Sequence, residues 1–170
     1  MTRKLLLALP ILFVLTISIS MTPALAAVGK DPSGDATNGN PDFDIKKFGM
    51  QNGIPYLDVY GTGGGTTAVG FVYAYVFITD TGIFAVTSHG GIEDSSEVGD
   101  DEEYHAHLVT LGGDGCVTGL DEDGSAQIKN KRVAVTGTGA SSIDAVLTAR
   151  LDATASGVCV TAGYDIAPNP

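Results

Sequence analysis

Residues 69–89 read VGFVYAYVFITDTGIFAVTSH, and this stretch decides the fold class. Every second residue from Phe71 to Phe77 is aromatic, which is the period-two pattern of a β-strand with one packed face. The sequence Asp80-Thr81-Gly82 favours a tight turn, and the run from Ile83 to His89 is apolar enough to return as a partner strand. The stretch therefore predicts an antiparallel β-hairpin.

Similar short apolar or alternating runs recur along the chain, separated by Gly, Asp and Asn. No window after residue 27 carries the 3.6-residue apolar stripe of an amphipathic helix. About eight or nine short strands predict an all-β fold, a single antiparallel two-sheet sandwich of immunoglobulin-like or jelly-roll-like type. Beyond the hairpin, strands are predicted over 54–60, 104–111, 116–120, 132–136, 143–151 and 158–166.

The first 27 residues have the composition of a secretory signal peptide. Arg3 and Lys4 precede an apolar run from Leu5 to Ile19, and small residues follow up to Ala27. We predict a signal peptide over 1–27 and a single β-sandwich domain over 28–170, secreted or held in an extracytoplasmic space. No membrane insertion is expected after cleavage, and the alternative is an uncleaved N-terminal anchor.

The charge balance is strongly acidic, with nine Lys and Arg against 20 Asp and Glu and a formal net charge of −11. Cleavage would also remove Arg3 and Lys4. Nucleic-acid binding is not expected, because it needs basic patches that neutralise phosphates. The negative field favours cations instead, so metal ions are the expected partners.

The two cysteines, Cys116 and Cys159, are the whole cysteine content of the chain. In an oxidising compartment the default is one disulfide between them. The alternative is a pair of thiolate metal ligands, although the spacing is not that of a C-x-x-C motif.

The three histidines, His89, His105 and His107, all lie within one predicted hairpin. Residues two apart on a strand share a face, so the rings of His105 and His107 should point the same way. If the two strands pair, His89 comes beside the start of the second strand. Three converging imidazoles would suit Zn²⁺ or Cu²⁺.

The loop between these histidines is rich in carboxylates, of which Glu93, Asp94 and Glu103 are candidate further ligands. Two other interpretations stay open. The acidic run could be a solvated surface loop, and the histidines could form a pH-responsive surface patch.

A second acidic group opens the mature chain, in the sequences Asp31-Pro-Ser-Gly-Asp35 and Asp42-Phe-Asp44-Ile. This opening resembles that of β-sandwich modules of the DOMON and family 9 carbohydrate-binding group, although the chain has no sugar-stacking tryptophan. The resemblance implies that Asp31, Asp35, Asp42 and Asp44 could hold a structural Ca²⁺, for which oxygen ligands are suited. The alternative is a connector rich in turns.

Three functions follow from these patterns. The first is an exported protein that holds zinc or copper through the three histidines. The second is a calcium-stabilised cell-surface module, structural or binding glycan or protein, without catalysis. The third is a zinc enzyme that activates water. The chain has no G-x-S-x-G sequence and nothing else that names a substrate, so catalysis is not favoured.

Overall fold

The structure is a computed structural model that describes residues 28–31, 33–63, 72–88, 104–121, 124–155 and 157–168. The signal-peptide prediction for residues 1–27 lies outside these ranges. The described residues form eleven strands and no helix: β1 Gly29–Lys30, β2 Ile45–Gln51, β3 Ile54–Val59, β4 Val72–Thr79, β5 Gly82–Ser88, β6 His105–Leu111, β7 Val117–Asp121, β8 Ser125–Lys129, β9 Arg132–Thr136, β10 Ile143–Thr154 and β11 Gly157–Pro168.

The strands form two antiparallel sheets, which confirms the predicted two-sheet sandwich. The five-stranded sheet has the order β1-β2-β3-β9-β8, and the six-stranded sheet has the order β11-β10-β4-β5-β6-β7. The count is higher than the predicted eight or nine, because β1, β2 and β8 were not expected. Within the described ranges we find no helix with the length and apolarity that crossing a membrane requires.

The hairpin predicted from residues 69–89 is confirmed as β4 and β5. The pairing runs from Tyr73 opposite Ser88 to Thr79 opposite Gly82. The Thr79 hydroxyl donates to the carbonyl oxygen of Gly82 at 2.9 Å, which closes the turn. The next strand, β6, pairs with β5 from Val109 opposite Ile83 to His105 opposite Thr87, so the two strands of the second predicted hairpin also pair.

The aromatic face of β4 packs into the core between the two sheets. Tyr75 and Phe77 are fully buried there. The ring of Phe43 stacks on Tyr73 and Tyr75 with centroids 5.2 and 5.6 Å apart. Phe71, predicted for the same face, lies outside the described residues.

The six-stranded sheet has a second apolar face, turned away from the five-stranded sheet. Alternate residues of its strands, such as Ala74, Ala85 and Leu151, form a separate apolar cluster on this side. The two outermost strands of the sheet, β7 and β11, meet next to it. Cys116 and Cys159 form the predicted disulfide at this point, with an S–S distance of 2.01 Å.

Candidate functional site

Three aspartates from distant parts of the chain lie together at one side of the sandwich. Asp31 directly follows β1, Asp35 lies in the loop before β2, and Asp165 belongs to β11. One carboxylate oxygen from each lies within 4.8 Å of the others. The arrangement therefore joins the beginning of the described chain to its last strand.

Asp44 adds a fourth carboxylate beside this group, at the residue before β2. Its side chain is only 4% exposed. Its Oδ2 accepts a hydrogen bond from the backbone N–H of Gly34 at 2.7 Å, while its buried Oδ1 has no hydrogen-bond partner among the described residues. We call Asp31, Asp35, Asp44 and Asp165 the aspartate cluster.

The ladder between β10 and β11 is irregular next to Asp165. Thr148 of β10 pairs with Asp165 and Ala149 pairs with Gly163, so Tyr164 is an extra residue in the ladder. Such a bulge re-aims the side chains around it. Asp165 is buried, and its Oδ2 accepts a hydrogen bond from the backbone N–H of Ile45 at 2.6 Å.

The loop that carries Asp35 is fixed to the same strand by backbone contacts. The N–H of Thr37 donates to the carbonyl oxygen of Tyr164 at 2.8 Å, and its hydroxyl donates to the carbonyl oxygen of Gly163 at 3.2 Å. The Tyr60 hydroxyl donates to the carbonyl oxygen of Asp31 at 3.0 Å. These bonds hold the carboxylates close together without neutralising them.

The electrostatic environment of the aspartate cluster disfavours ionisation of all four carboxyl groups at once. Burial, together with the neighbouring charge of Asp165, raises the pKa of Asp31 from 3.8 to about 7. Burial also raises the pKa of Asp44, against the opposing effect of the Gly34 N–H. Within the described ranges, no Lys, Arg or His forms an ion pair with any of the four. A partly buried group of carboxylates of this kind is stabilised by protons or by a bound cation.

Asp42, the remaining residue of the predicted calcium set, binds a neighbouring loop residue and is not part of the aspartate cluster. Its Oδ1 accepts hydrogen bonds from the backbone N–H and the hydroxyl of Thr62, at 2.7 and 3.0 Å. The structure therefore brings together Asp31, Asp35 and Asp44 of the predicted set, and it replaces Asp42 by Asp165, which sequence reasoning missed. The sequence feature that could have indicated Asp165 is its acidic side chain within a predicted strand that has no other charged residue.

Two of the three histidines of the predicted transition-metal site are among the described residues. His105 and His107 lie on β6 with their ring centroids 4.6 Å apart and one ring edge towards the other. His107 is 2% exposed. His89 and the candidate ligands Glu93, Asp94 and Glu103 lie outside the described residues, so their positions relative to this pair stay a prediction.

The donor chemistry separates the two candidate sites. The aspartate cluster offers oxygen atoms alone, which hard cations such as Ca²⁺ prefer, whereas imidazole nitrogen suits Zn²⁺ and Cu²⁺.

Comparison of the chain with protein-family models, with curated proteins and with solved structures gave no match.

Proposed function

We propose that this protein is an exported, calcium-stabilised β-sandwich module of the cell surface, in which the aspartate cluster holds one Ca²⁺. The observation that carries the proposal is the convergence of four carboxylates, two of them buried, without a basic partner among the described residues. A divalent cation there would offset the burial and the repulsion from Asp165 that together raise the pKa of Asp31.

The spacing of the carboxylates supports Ca²⁺ as the ion. Calcium–oxygen distances of about 2.3–2.6 Å place ligands on opposite sides of the ion about 5 Å apart. The oxygens of Asp31, Asp35 and Asp165 lie within 4.8 Å of one another, which is inside that limit. Several carboxylates at one ion are typical of Ca²⁺, because Mg²⁺ keeps most of its waters.

The proposed role of the ion is structural. Calcium would connect the segment around Asp31 and Asp35 to β11, two parts of the chain that are otherwise joined by a few hydrogen bonds. The exported setting, in keeping with the disulfide, supplies calcium at the concentrations that weak extracellular sites need. Such a module would bind surface glycan or protein and carry out no catalysis.

The first test is thermal unfolding of the chain from Val28 onward, with EDTA and with about 10 mM CaCl₂. If the dissociation constant is about 0.1 mM, as in extracellular modules, this concentration stabilises the fold by about 2.7 kcal/mol. For a chain of this length we expect Tm to rise by about 8 °C. Terbium luminescence, sensitised by tyrosine because the chain has no tryptophan, reports the same site directly.

The matched variants are Asp165→Asn and Asp144→Asn. Asparagine at 165 keeps an oxygen that can accept from the Ile45 N–H but removes the charge, so the calcium-dependent rise in Tm should be lost. Asp144 is exposed on β10, and its variant should respond like the parent. An equal Tm with calcium and with EDTA in the parent would refute the proposal.

A second candidate function is transition-metal binding by the exported protein, and the closeness of His105 and His107 favours it. Under this proposal His89 supplies the third imidazole, with Glu93, Asp94 or Glu103 available as further ligands, and Zn²⁺ or Cu²⁺ is held for storage or delivery. A zinc site with an open position would also allow activation of water, which is the enzymatic variant of this candidate.

Metal analysis by mass spectrometry distinguishes the two candidates. The protein should be loaded separately with zinc, copper and calcium and then desalted. Stoichiometric zinc or copper that is lost in the double variant His105→Ala/His107→Ala supports the histidine site. Zinc and copper contents unchanged by that variant would exclude it, whatever the result for calcium.

A further inference from the structure

The outer face of the six-stranded sheet surrounds a cavity of about 270 Å³. Its lining comes from β4, β5, β6, β7, β10 and β11, which are all six strands of the sheet. A flat sheet cannot enclose space in this way. The cavity therefore reflects a sheet that is curled around its own outer face.

The connection between the two outermost strands explains the curl. Cys116 and Cys159 pair as an isolated antiparallel β-bridge in addition to their disulfide. The N–H of Val160 donates to the carbonyl oxygen of Gly115 at 3.2 Å. The sheet is thus closed at this end, and the outer face becomes the inside of a pocket.

Small side chains keep the pocket open. Ala149, Ala74 and Ala85 lie on the adjacent strands β10, β4 and β5, and each is 5% exposed or less. Larger side chains at these positions would fill the space between β7 and β11. We propose that this cavity binds an uncharged aliphatic molecule, such as a medium-length alkyl or acyl chain.

The lining determines the chemical class of the ligand. Fourteen of the sixteen described lining residues are Val, Leu, Ile or Ala, and the two polar ones are Thr87 and His107. Sugars fit this cavity poorly, because they need several hydrogen-bonding groups and aromatic rings to stack on, and the described lining offers only Thr87 and His107. The net charge of −11 disfavours anionic molecules, so an uncharged chain fits best.

The exposed apolar surface is concentrated at the same place. Among the described residues six large apolar side chains are exposed, and four of them line this cavity: Leu111, Leu120, Val158 and Val160. Concentration of exposed apolar surface at one concave site is typical of a binding site. Single exposed apolar residues scattered over a surface would not indicate a binding site.

The volume sets the length of the ligand. An engineered protein cavity of about 150 Å³ holds benzene, which has six carbon atoms, so a cavity of this size accommodates about ten. The cavity lies on the face opposite the core and uses none of the four residues of the aspartate cluster. The inference is therefore independent of calcium binding.

The test uses the chain from Val28 onward and the uncharged fluorescent probe N-phenyl-1-naphthylamine. We expect enhanced probe fluorescence that a series of linear alcohols reverses, with the greatest effect near decanol. Ala85→Leu and Ala149→Leu should each weaken decanol binding at least tenfold by filling the cavity. Ala155→Leu makes the same change at an exposed turn and should bind like the parent.

Circular dichroism and Tm establish that each variant is folded, and Ala85→Val is the smaller replacement if leucine disrupts the sheet. No displacement by any alcohol, or equal affinity in the folded cavity-filling variants and the parent, would overturn the proposal. So would a stable dimer that buries this face and excludes the probe, because the occupant would then be a second copy of the chain.

Discussion

At the scale of single residues, Asp58 on β3 is held by two cationic side chains. Its two carboxylate oxygens accept from Arg132 at 2.7 and 3.1 Å, and Lys47 lies 3.2 Å from Oδ2. The guanidinium also lies 3.9 Å from the centre of the Tyr56 ring. Burial alone would raise the pKa of Asp58, but the bonds from Arg132 and Lys47 outweigh it and the pKa falls below 3.8.

The first prediction concerns this ion pair. Arg132→Lys should lower the free energy of unfolding by about 1 kcal/mol, because lysine cannot make the two parallel bonds or stack on Tyr56. Urea unfolding at pH 7 measures the change. Since the pKa of Asp58 is lowered, its contribution is present at pH 7 and is lost as pH falls through the folded pKa.

A double-mutant cycle with Asp58→Asn tests whether the effect belongs to the pair. If Arg132→Lys costs the same in the parent and in the Asp58→Asn background, the stabilisation comes from packing on Tyr56 and the interpretation is wrong.

The aspartate cluster shows how far residue patterns predict a site. Asp31, Asp35 and Asp44 are within one turn-rich segment, so the sequence alone predicts that their carboxylates lie near each other. Asp165 comes from the other end of the domain and is buried, while the next residue, Ile166, is 63% exposed. The ladder between β10 and β11 has two register shifts, and each shift of one residue exchanges the two faces of a strand, so alternation alone does not predict which face Asp165 takes.

At the scale of strands, the disulfide is the strongest single connection between β7 and β11. It closes a loop with a sequence separation of 43 residues. The chain entropy that such a crosslink removes from the unfolded state corresponds to about 4 kcal/mol.

The second prediction is that Cys116→Ser/Cys159→Ser lowers the free energy of unfolding by about 4 kcal/mol while the sandwich still forms. Both sulfurs are removed together so that no free thiol remains. Guanidinium unfolding monitored by circular dichroism measures the loss. Reduction of the parent with dithiothreitol should have the same effect, and a loss below about 1 kcal/mol in both would contradict the prediction.

The strands that the sequence did not predict have identifiable causes. In β2, the adjacent residues Lys46 and Lys47 interrupt the alternation, and the ladder between β2 and β3 has a register shift at this point. Ser125–Lys129 is short, lies at the edge of its sheet and buries no side chain fully. By contrast, β4 and β5 were predictable because the alternating aromatic face and the turn sequence agree.

At the scale of the whole molecule, the proposed calcium site leads us to expect that stability depends on pH and calcium together. The folded carboxyl of Asp31 keeps its proton up to about pH 7, whereas the unfolded one loses it near 3.8. Between these values the folded protein binds more protons than the unfolded one, so its stability decreases as pH rises.

The third prediction is that, in EDTA, Tm falls as pH rises from about 5 to 7.5 and that calcium removes this decline. The lowered pKa values of Asp58 and Asp80 do not interfere, because those groups are ionised throughout this window. Differential scanning calorimetry at several pH values measures the slope. Asp31→Asn should flatten it in EDTA, and an unchanged slope in that variant would show that another group is responsible.

The bridge between β7 and β11 also bears on how the molecule behaves at high concentration. Strands at the border of a sheet can recruit strands from other molecules and so begin aggregation. Here the two border strands of the larger sheet bond to each other around Cys116 and Cys159, which removes part of that template. The borders of the smaller sheet, β1 and β8, are two and five residues long, too short to be good templates. Loss of the bridge would therefore expose this protein to intermolecular strand pairing as well as to unfolding.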